Sequence, residues 1–283
     1  VGSGQFEISG RFGYYAEPWV GVRGNVLLTG AMRDTVETDS LGVYMFSELP
    51  FGNYVVMPYK MDGIRDAVSP FDASLVLRDV VHRIGLSPYQ RIAGDVTGDG
   101  RVTAFDASYI LRRWAGDVSG FPVGGDWEFV PADFAIDDTN WASAPDSVEI
   151  SPLVCDTTVN FLGVLYGDVS GNWGREGLPK VAPGDVRVYC KEERVGDLVR
   201  VSVFVGGCEE LYSGGLEFEV RGLELRDVRG VGLPEGWLMA YGEVGGRLRV
   251  GVAGSDGIVG ERELLEMELE GGGEVRLASA QVN

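Results

Sequence analysis

The sequence predicts a multidomain, mainly β chain: a β-sandwich over 1–60, a small α-helical unit over 61–178 with an irregular insertion at 117–166, and a second β-sandwich or jelly roll over 179–283. Three observations predict it. Glycine supplies 43 of the 283 residues, about twice its usual share, and it separates β-rich runs instead of forming low-complexity blocks. One segment recurs 34 residues further on (Val68 to Val102) with helical periodicity. The last ~105 residues hold about eight alternating apolar runs between Gly-Gly pairs and turn signals.

The first element rests on FEISGRFGYY, VGVRGNVLLTG and VETDSLGVYMFSELPFGNYVVMP. Val43, Tyr44, Met45 and Phe46 fall on alternate faces of a strand, and Gly, Asp, Asn and Pro mark the turns of a small antiparallel sandwich. The run Thr38-Asp39-Ser40, Gly42, Tyr44, Phe46, Leu49-Pro50, Gly52, Tyr54 resembles the carboxypeptidase-regulatory-like (collagen-adhesin B-type) repeat. That resemblance implies a stalk or spacer without catalytic residues.

In the second element, VSPFDASLVLRDVVHRIG aligns with VTAFDASYILRRWAG, with Phe71/Phe105, Asp72/Asp106, Ala73/Ala107, Ser74/Ser108, Leu77/Leu111 and Arg78/Arg112 identical. Ala73, Val76, Leu77 and Val80 share one helical face, as do Ala107, Ile110, Leu111 and Trp114. The spacing predicts helices over about 71–85 and 104–116. The stretch 117–166 lacks sustained periodicity and reads as an insertion with short strands. Beyond Pro179 the runs VRVYC, LVRVSVFVG, GGLEFEV, LRVGVAG, ELLEMELEG and EVRLASAQV build the third element.

The strongest chemical signal precedes the second helix. Asp95, Thr97, Asp99, Thr103 and Asp106 place side-chain oxygens at positions 1, 3, 5, 9 and 12 of a twelve-residue loop. Gly100 stands at position 6, and Arg101 supplies a backbone carbonyl at 7. This is the spacing of an EF-hand-type calcium loop, because a hard cation takes six to eight oxygens and alternate residues of a tight loop point inward. Thr97 replaces the usual Asn or Asp, and Asp106 the usual Glu. The alternative is an Asp/Gly turn followed by an N-capped helix.

Asp at position 12 and the lack of an entering helix make the loop and its helix resemble a dockerin, whose F-hand unit carries two loop–helix repeats and plugs into a cohesin. The first helix lacks such a loop, since Met61, Gly63 and Arg65 stand where ligands 1, 3 and 5 belong. Gly167-Asp168-Val169-Ser170-Gly171-Asn172-Trp173 repeats Gly94–Gly100 with four identities. The expectation is therefore a split, circularly permuted dockerin: Asp168, Ser170 and Asn172 complete a second calcium site with Ser69 and Asp72. An ordinary turn at Asp168 and a helix cap at Asp72 is the competing reading. The resemblance also implies a partner-reading face at Phe71, Ser74, Phe105 and Ser108, against which stands core packing of the two phenylalanines.

The run VGDLVRVSVFVGGCEELYSGGLEFEVRGLELRDV and the closing EVRLASAQVN resemble a cohesin, with Val220-Arg221 in place of the usual Tyr-Asp step. A carbohydrate-binding module is the alternative, with Trp237 and Tyr241 as its only stacking candidates. Trp114, Trp127, Trp141 and Trp173 read as core around the helices and insertion.

Forty-three acidic against 24 basic residues leave a formal charge of −19, which disfavours nucleic acid and anionic membranes and favours cations. His82 is the sole histidine, so triad hydrolases and His-rich metal sites would all have to use one residue. The acid pairs Asp137-Asp138 and Glu209-Glu210 sit in turn-like contexts and read as solvated. No apolar run reaches membrane-spanning length. Cys155, Cys190 and Cys208 form no CxxC pair; Cys190 and Cys208 can pair, or all can stay buried thiols. The chain is thus expected to be a non-enzymatic, extracellular or cell-surface scaffold with Ca2+ as its cofactor. The cellulosome-like cohesin–dockerin resemblance implies a cohesin- or dockerin-bearing partner, including a second copy in head-to-tail assembly. The alternative is a carbohydrate-binding surface protein of polysaccharide degradation.

Overall fold

A computed structural model describes residues 5–63, 67–174 and 186–283, without the side chains of Cys208 and Glu209. Six strands come from the first sixty residues: β1 (Phe6–Tyr14), β2 (Glu17–Gly21), β3 (Asn25–Gly30), β4 (Asp34–Glu37), β5 (Val43–Leu49) and β6 (Gly52–Tyr59). Helices α1 (Pro70–Val80), α2 (Pro88–Gly94) and α3 (Ala104–Ala115) follow; α2, capped by Ser87 and ending at the residue before Asp95, is a short entering helix where the sequence predicts none. Then come β7 (Trp127–Pro131), a 3-10 turn (Trp141–Ser143), β8 (Val148–Leu153), β9 (Thr157–Thr158) and β10 (Phe161–Leu165). The last strands are β11 (Arg187–Val195), β12 (Leu198–Arg221), β13 (Glu224–Gly230), β14 (Leu238–Val244), β15 (Arg247–Glu270) and β16 (Glu274–Val282). The mainly β character is as the sequence predicts.

The chain divides into two compact units, each discontinuous. Unit 1 comprises Val1–Ala67, Leu86–Arg101 and Pro122–Glu176; unit 2 comprises Val68–Gly85, Val102–Phe121 and Gly177–Asn283. The segment expected as one unit over 61–178 is thus shared out. Its two repeated helices go to unit 2, and its loops and insertion go to unit 1.

Unit 1 has two sheets. One runs β2-β1-β10-β7, with β5 and β9 also paired to β1, and the other β4-β3-β6-β8. The stretch 117–166 is therefore not an irregular insertion: β9 and β10 run parallel to β1, and β8 extends the second sheet beside β6. Strand alternation works as read from sequence, with Tyr44 and Phe46 buried while Val43 and Met45 face out. The core gathers Ile8, Phe12, Tyr54 and Phe161 from both ends of the unit's sequence. Trp127 and Trp173 meet edge to face at 4.8 Å between ring centroids. Their indole N–H groups donate to the carbonyls of Asp62 and Gly63, both at 2.7 Å, so each large ring is buried without an orphaned donor.

Unit 2 is built on one long ribbon. β12 and β15, 24 residues each, pair antiparallel and pass through several bulges between Val203 and Ser213. Bulges bend and twist a strand, so the two halves of the ribbon take different neighbours. β11 and β13 flank one half; β16 and β14 flank the other. The runs read as separate strands, LVRVSVFVG and GGLEFEV, are the two halves of β12, because Cys208 and Leu211 stay in register with Gly260 and Ile258. Val199, Val201, Val203 and Val205 enter a core that also holds Phe218, Val250 and Met267.

The repeated helices belong to this unit. α1 and α3 pack on each other and on β12, β14 and β15. α1 begins at Pro70, where a missing N–H costs nothing, and ends at Val80, short of the expected residue 85. His82 lies past its end with a φ of 59°. α3 stops at Gly116, whose φ of 85° is a left-handed C-terminal cap. Trp114 is therefore not part of one tryptophan cluster with Trp127, Trp141 and Trp173; it packs on the sheet of unit 2, whereas the other three belong to unit 1.

Cys155 and Cys190 are free and exposed thiols. The sequence left open a Cys190–Cys208 pair or buried thiols; Cys155 and Cys190 are neither paired nor buried, and the Cys208 side chain lies outside the described residues. Trp237 is committed within unit 2, donating to the carbonyl of Asp256 at 3.0 Å and lying against Gly254. Asp137 is exposed, as expected, and closes a turn through the N–H groups of Thr139 and Asn140. Glu209 lies outside the described side chains.

Candidate metal centre

The two loops that the sequence pairs have the same local construction. The Asp95 carboxylate accepts the backbone N–H of Asp99 on Oδ1 (3.2 Å) and of Gly100 on Oδ2 (2.8 Å). Asp168 accepts the equivalent N–H groups, Asn172 on Oδ1 (3.0 Å) and Trp173 on Oδ2 (2.8 Å). At position 3, the Thr97 hydroxyl lies 3.3 Å from Asp95 Oδ1 and the Ser170 hydroxyl 3.2 Å from Asp168 Oδ1. At position 4, Gly98 and Gly171 adopt φ values of 71° and 69°, a left-handed turn that glycine enters at no steric cost. Both loops lie in unit 1. Asp99 departs from the inward-pointing pattern, because its Oδ1 accepts the N–H of Arg101 at 2.9 Å.

The helix halves match as well. Asp72 Oδ2 accepts the N–H and hydroxyl of Ser69 (2.9 and 2.7 Å), and Asp106 Oδ2 accepts those of Thr103 (both 2.9 Å). Each aspartate thus sits in the first turn of its helix, where a negative charge is favoured, and closes the cap. These four residues belong to unit 2. The sequence repeat is therefore a repeat of hydrogen-bonded structure at all four of its pieces.

Asp72, Asp106 and Asp168 are completely buried, and Asp95 is nearly so. Burial pushes the Asp168 carboxyl above its ordinary 3.8, opposed by a hydrogen bond from Tyr14 and by the N–H groups of Asn172 and Trp173. Tyr14 donates its hydroxyl to Asp168 Oδ2, and Tyr15 donates to the Asp168 carbonyl at 2.8 Å. Sequence reasoning passed over both tyrosines. Their signal was the Tyr14-Tyr15 pair at the end of β1, where one ring must turn inward and find a partner for its hydroxyl.

As donors, these residues fit a hard cation: carboxylate, hydroxyl, amide and backbone oxygens, with no sulfur or imidazole. Among the described residues no group of three or more His, Cys, Asp or Glu side chains is gathered to hold a metal ion.

Of the expected partner-reading residues, Phe105 is 61% exposed and meets Tyr109 edge to face at 5.0 Å. Phe71 is half-buried. The Ser74 and Ser108 hydroxyls donate back to the carbonyls of Phe71 (2.7 Å) and Phe105 (2.6 Å), and Ser74 is buried. Ser74 thus serves its own helix.

A different face of the helix pair is engaged within unit 2. A Cβ built on Gly215 would come within 2.7 Å of the Trp114 ring and 3.4 Å of Pro70, and one on Gly251 within 2.8 Å of Leu111 and 3.1 Å of Trp114. The Arg249 guanidinium lies over the Trp114 ring at 5.4 Å, and that of Arg78 over the Tyr212 ring at 4.3 Å. Arg83 and Asp256 form an ion pair. Small residues on the sheet thus let an aromatic side chain of α3 settle on the backbone, with cation–π contacts on either side.

No protein-family model matches the chain, and no curated protein matches it. Among solved structures, it is similar to the cohesin module of a family 33 glycoside hydrolase from Clostridium perfringens ATCC13124, at 20% identity and a TM-score of 0.30, over 34% of this chain and 82% of that one. A non-cellulosomal cohesin from Archaeoglobus fulgidus matches at 21% identity and a TM-score of 0.30, over 34% of this chain and 77% of that one. The full-length major pilin SpaD from Corynebacterium diphtheriae matches at 11% identity and a TM-score of 0.29, over 100% of this chain and 64% of that one. Among the described residues, no helix is long and apolar enough to cross a membrane.

Proposed function

We infer that this chain is a non-catalytic assembly module in which a calcium-stabilised, dockerin-type helix pair is held by a cohesin-type sheet of the same chain. The observation that carries this reading is the seating of α1 and α3 on β12, β14 and β15, with the Trp114 indole against Gly215 and Gly251. A plug and a socket on one chain meet at the highest effective concentration available to them, so the cis arrangement outcompetes head-to-tail assembly.

Calcium enters as a structural ion. Asp95, Thr97, Asp99, the Arg101 carbonyl, Thr103 and Asp106 form one ligand set along a continuous loop, and Asp168, Ser170, Asn172, Ser69 and Asp72 form the second. The matching backbone bonds to Asp95 and Asp168, and to Asp72 and Asp106, support treating both sets alike. Bringing several carboxylates together costs free energy until a cation neutralises them, which couples ion binding to folding. Loops of this type in extracellular proteins are tuned to about millimolar calcium, which suits a surface or secreted scaffold. Phe105, left exposed, would meet any further partner.

Sedimentation velocity of the whole chain with saturating calcium tests the cis reading. A monomer over a wide range of concentration is the expected result. Species that lengthen with concentration would overturn it in favour of head-to-tail assembly.

A further inference from the structure

Unit 1 contains a cleft of about 190 Å³ that borders the first calcium loop at Asp95, Gly98 and Gly100 and extends beyond it to Glu128, Trp141 and Tyr166. At ~30 Å³ per water, it has room for about six waters, or for a short unbranched chain with a polar head. Ile92 and Val123 supply apolar wall, and Trp141, Tyr166 and Glu128 supply the groups that can recognise a ligand.

The sheet register brings the last two together. Glu128 on β7 is opposite Val164 on β10, and Tyr166 stands two residues beyond Val164, so the two side chains are diagonal neighbours on one face. The Tyr166 hydroxyl donates to Glu128 Oε2 at 3.0 Å. That bond fixes the carboxylate in place and leaves Oε1 to a ligand. Trp141, in the 3-10 turn, adds an indole, the residue as a whole being 8% exposed.

The charge of the cleft is of one sign. Glu128 lines it, as does Asp95 of the first calcium loop, and among the described residues no Lys, Arg or His does. Burial holds the Glu128 carboxyl above its usual range against the hydrogen bond from Tyr166, and the negative charge of Asp146 adds to it. The half-dry Glu128 carboxylate beside an indole and a phenol attracts a cation twice over, by charge and through the ring faces. A neutral guest gains only the second kind of contact with none of the first.

We propose that this cleft binds a primary ammonium group carried on an unbranched aliphatic stem, with Glu128 facing the ammonium, Trp141 against the stem and Ile92 and Val123 beside it. Such a group is presented by a free alkylamine or by a lysine side chain of another protein. The cleft shares Asp95 with the first calcium set, but the groups assigned to the ammonium and its stem, Glu128, Trp141, Ile92 and Val123, belong to neither set, so the proposal stands or falls on Glu128 with the calcium loop filled.

The test is a titration of the calcium-loaded whole protein with butylammonium, followed through its 15N-labelled tryptophan indole signals, with the Trp141 signal identified by its loss in Trp141→Phe. The expected result is a saturable shift of that signal, at least about tenfold weaker in affinity for butan-1-ol and for Glu128→Gln. Glutamine keeps an acceptor for the Tyr166 hydroxyl, so the variant preserves the wall while removing the charge. Nα-acetyl-lysine N-methylamide distinguishes the sources: binding as tight as butylammonium assigns the site to protein lysines, and much weaker binding assigns it to free amines. A shift with no probe, an equal shift with butan-1-ol or glucose, or unchanged affinity in Glu128→Gln would each overturn the proposal.

Discussion

Trp114 rests on Gly215: a single Cβ on that glycine would stand 2.7 Å from the indole, closer than carbon atoms approach without repulsion. The missing side chain on β12 is what lets a tryptophan of α3 reach the sheet backbone. Gly251 on β15 repeats the arrangement, so the seat of the helix pair is built from two absent side chains on paired strands.

Gly215→Val is therefore expected to destabilise unit 2 by about 1–3 kcal/mol through overpacking. Thermal melting and the near-ultraviolet circular dichroism of the tryptophans would record it. Gly120→Ala is the control: Gly120 is exposed and a Cβ there meets nothing within 4 Å, so its melt should match the parent within about 0.5 kcal/mol. Equal melts for both variants would show that the seat contributes nothing to stability.

Calorimetric titration of chelator-stripped protein should give two calcium ions per chain. Asp168→Ala and Asp95→Ala should each leave one, because each removes the position-1 carboxylate of one loop. At a hundredfold excess over Kd, bound calcium adds about 2.7 kcal/mol per site, so the chelated protein should melt at a lower temperature. One site unaffected by Asp168→Ala would leave 167–173 as an ordinary turn.

Burial lifts the Glu128 carboxyl above its ordinary 4.5, against the hydrogen bond from Tyr166. Between those two values the folded chain keeps a proton that the unfolded chain has lost. Stability therefore falls as pH rises from 4.5 through the folded value, and levels off above it. Glu128→Gln lacks that loss, so its melting temperature relative to the parent should rise over the same interval. A constant difference between the two across pH would show that Glu128 titrates normally.

The two free thiols should differ in rate. Although Cys190 reaches solvent, the protein around its sulfur strips away part of its water and raises the thiol, which lowers its thiolate fraction at neutral pH, and the thiolate is the reacting species. Cys155 should thus be alkylated by iodoacetamide before Cys190, as peptide mapping at successive times would show. The reverse order would mean that access at Cys155 is poorer than its exposure indicates.

Much of the candidate metal centre was legible in the sequence because its pieces are local. A capping aspartate, a hydroxyl three residues before it and a glycine at a left-handed position act within one turn of chain, so similar residues produce matching hydrogen bonds wherever they occur. Asp95 and Asp168 show this over a separation of more than seventy residues. Tyr14 was not legible as a partner of Asp168, because 154 residues separate them and only the sheet brings them together. The Glu128 cleft escaped for the same reason: its acid, phenol and indole come from a strand, a strand end and a turn that no sequence spacing relates.

By itself, the sequence determined the mainly β character, the two repeated helices and the repeated loops, since alternation, helical period and turn chemistry are properties of short stretches. Tertiary structure decided which stretch belongs with which. β8, β9 and β10 join strands from the first sixty residues, the runs read as four strands fuse into β12 and β15, and the helices seat on a sheet more than eighty residues further on. The physical reason is that strand pairing and core burial are satisfied by any partner of matching face and register. Apolar pattern states that a segment needs a partner, and only the folded chain selects one.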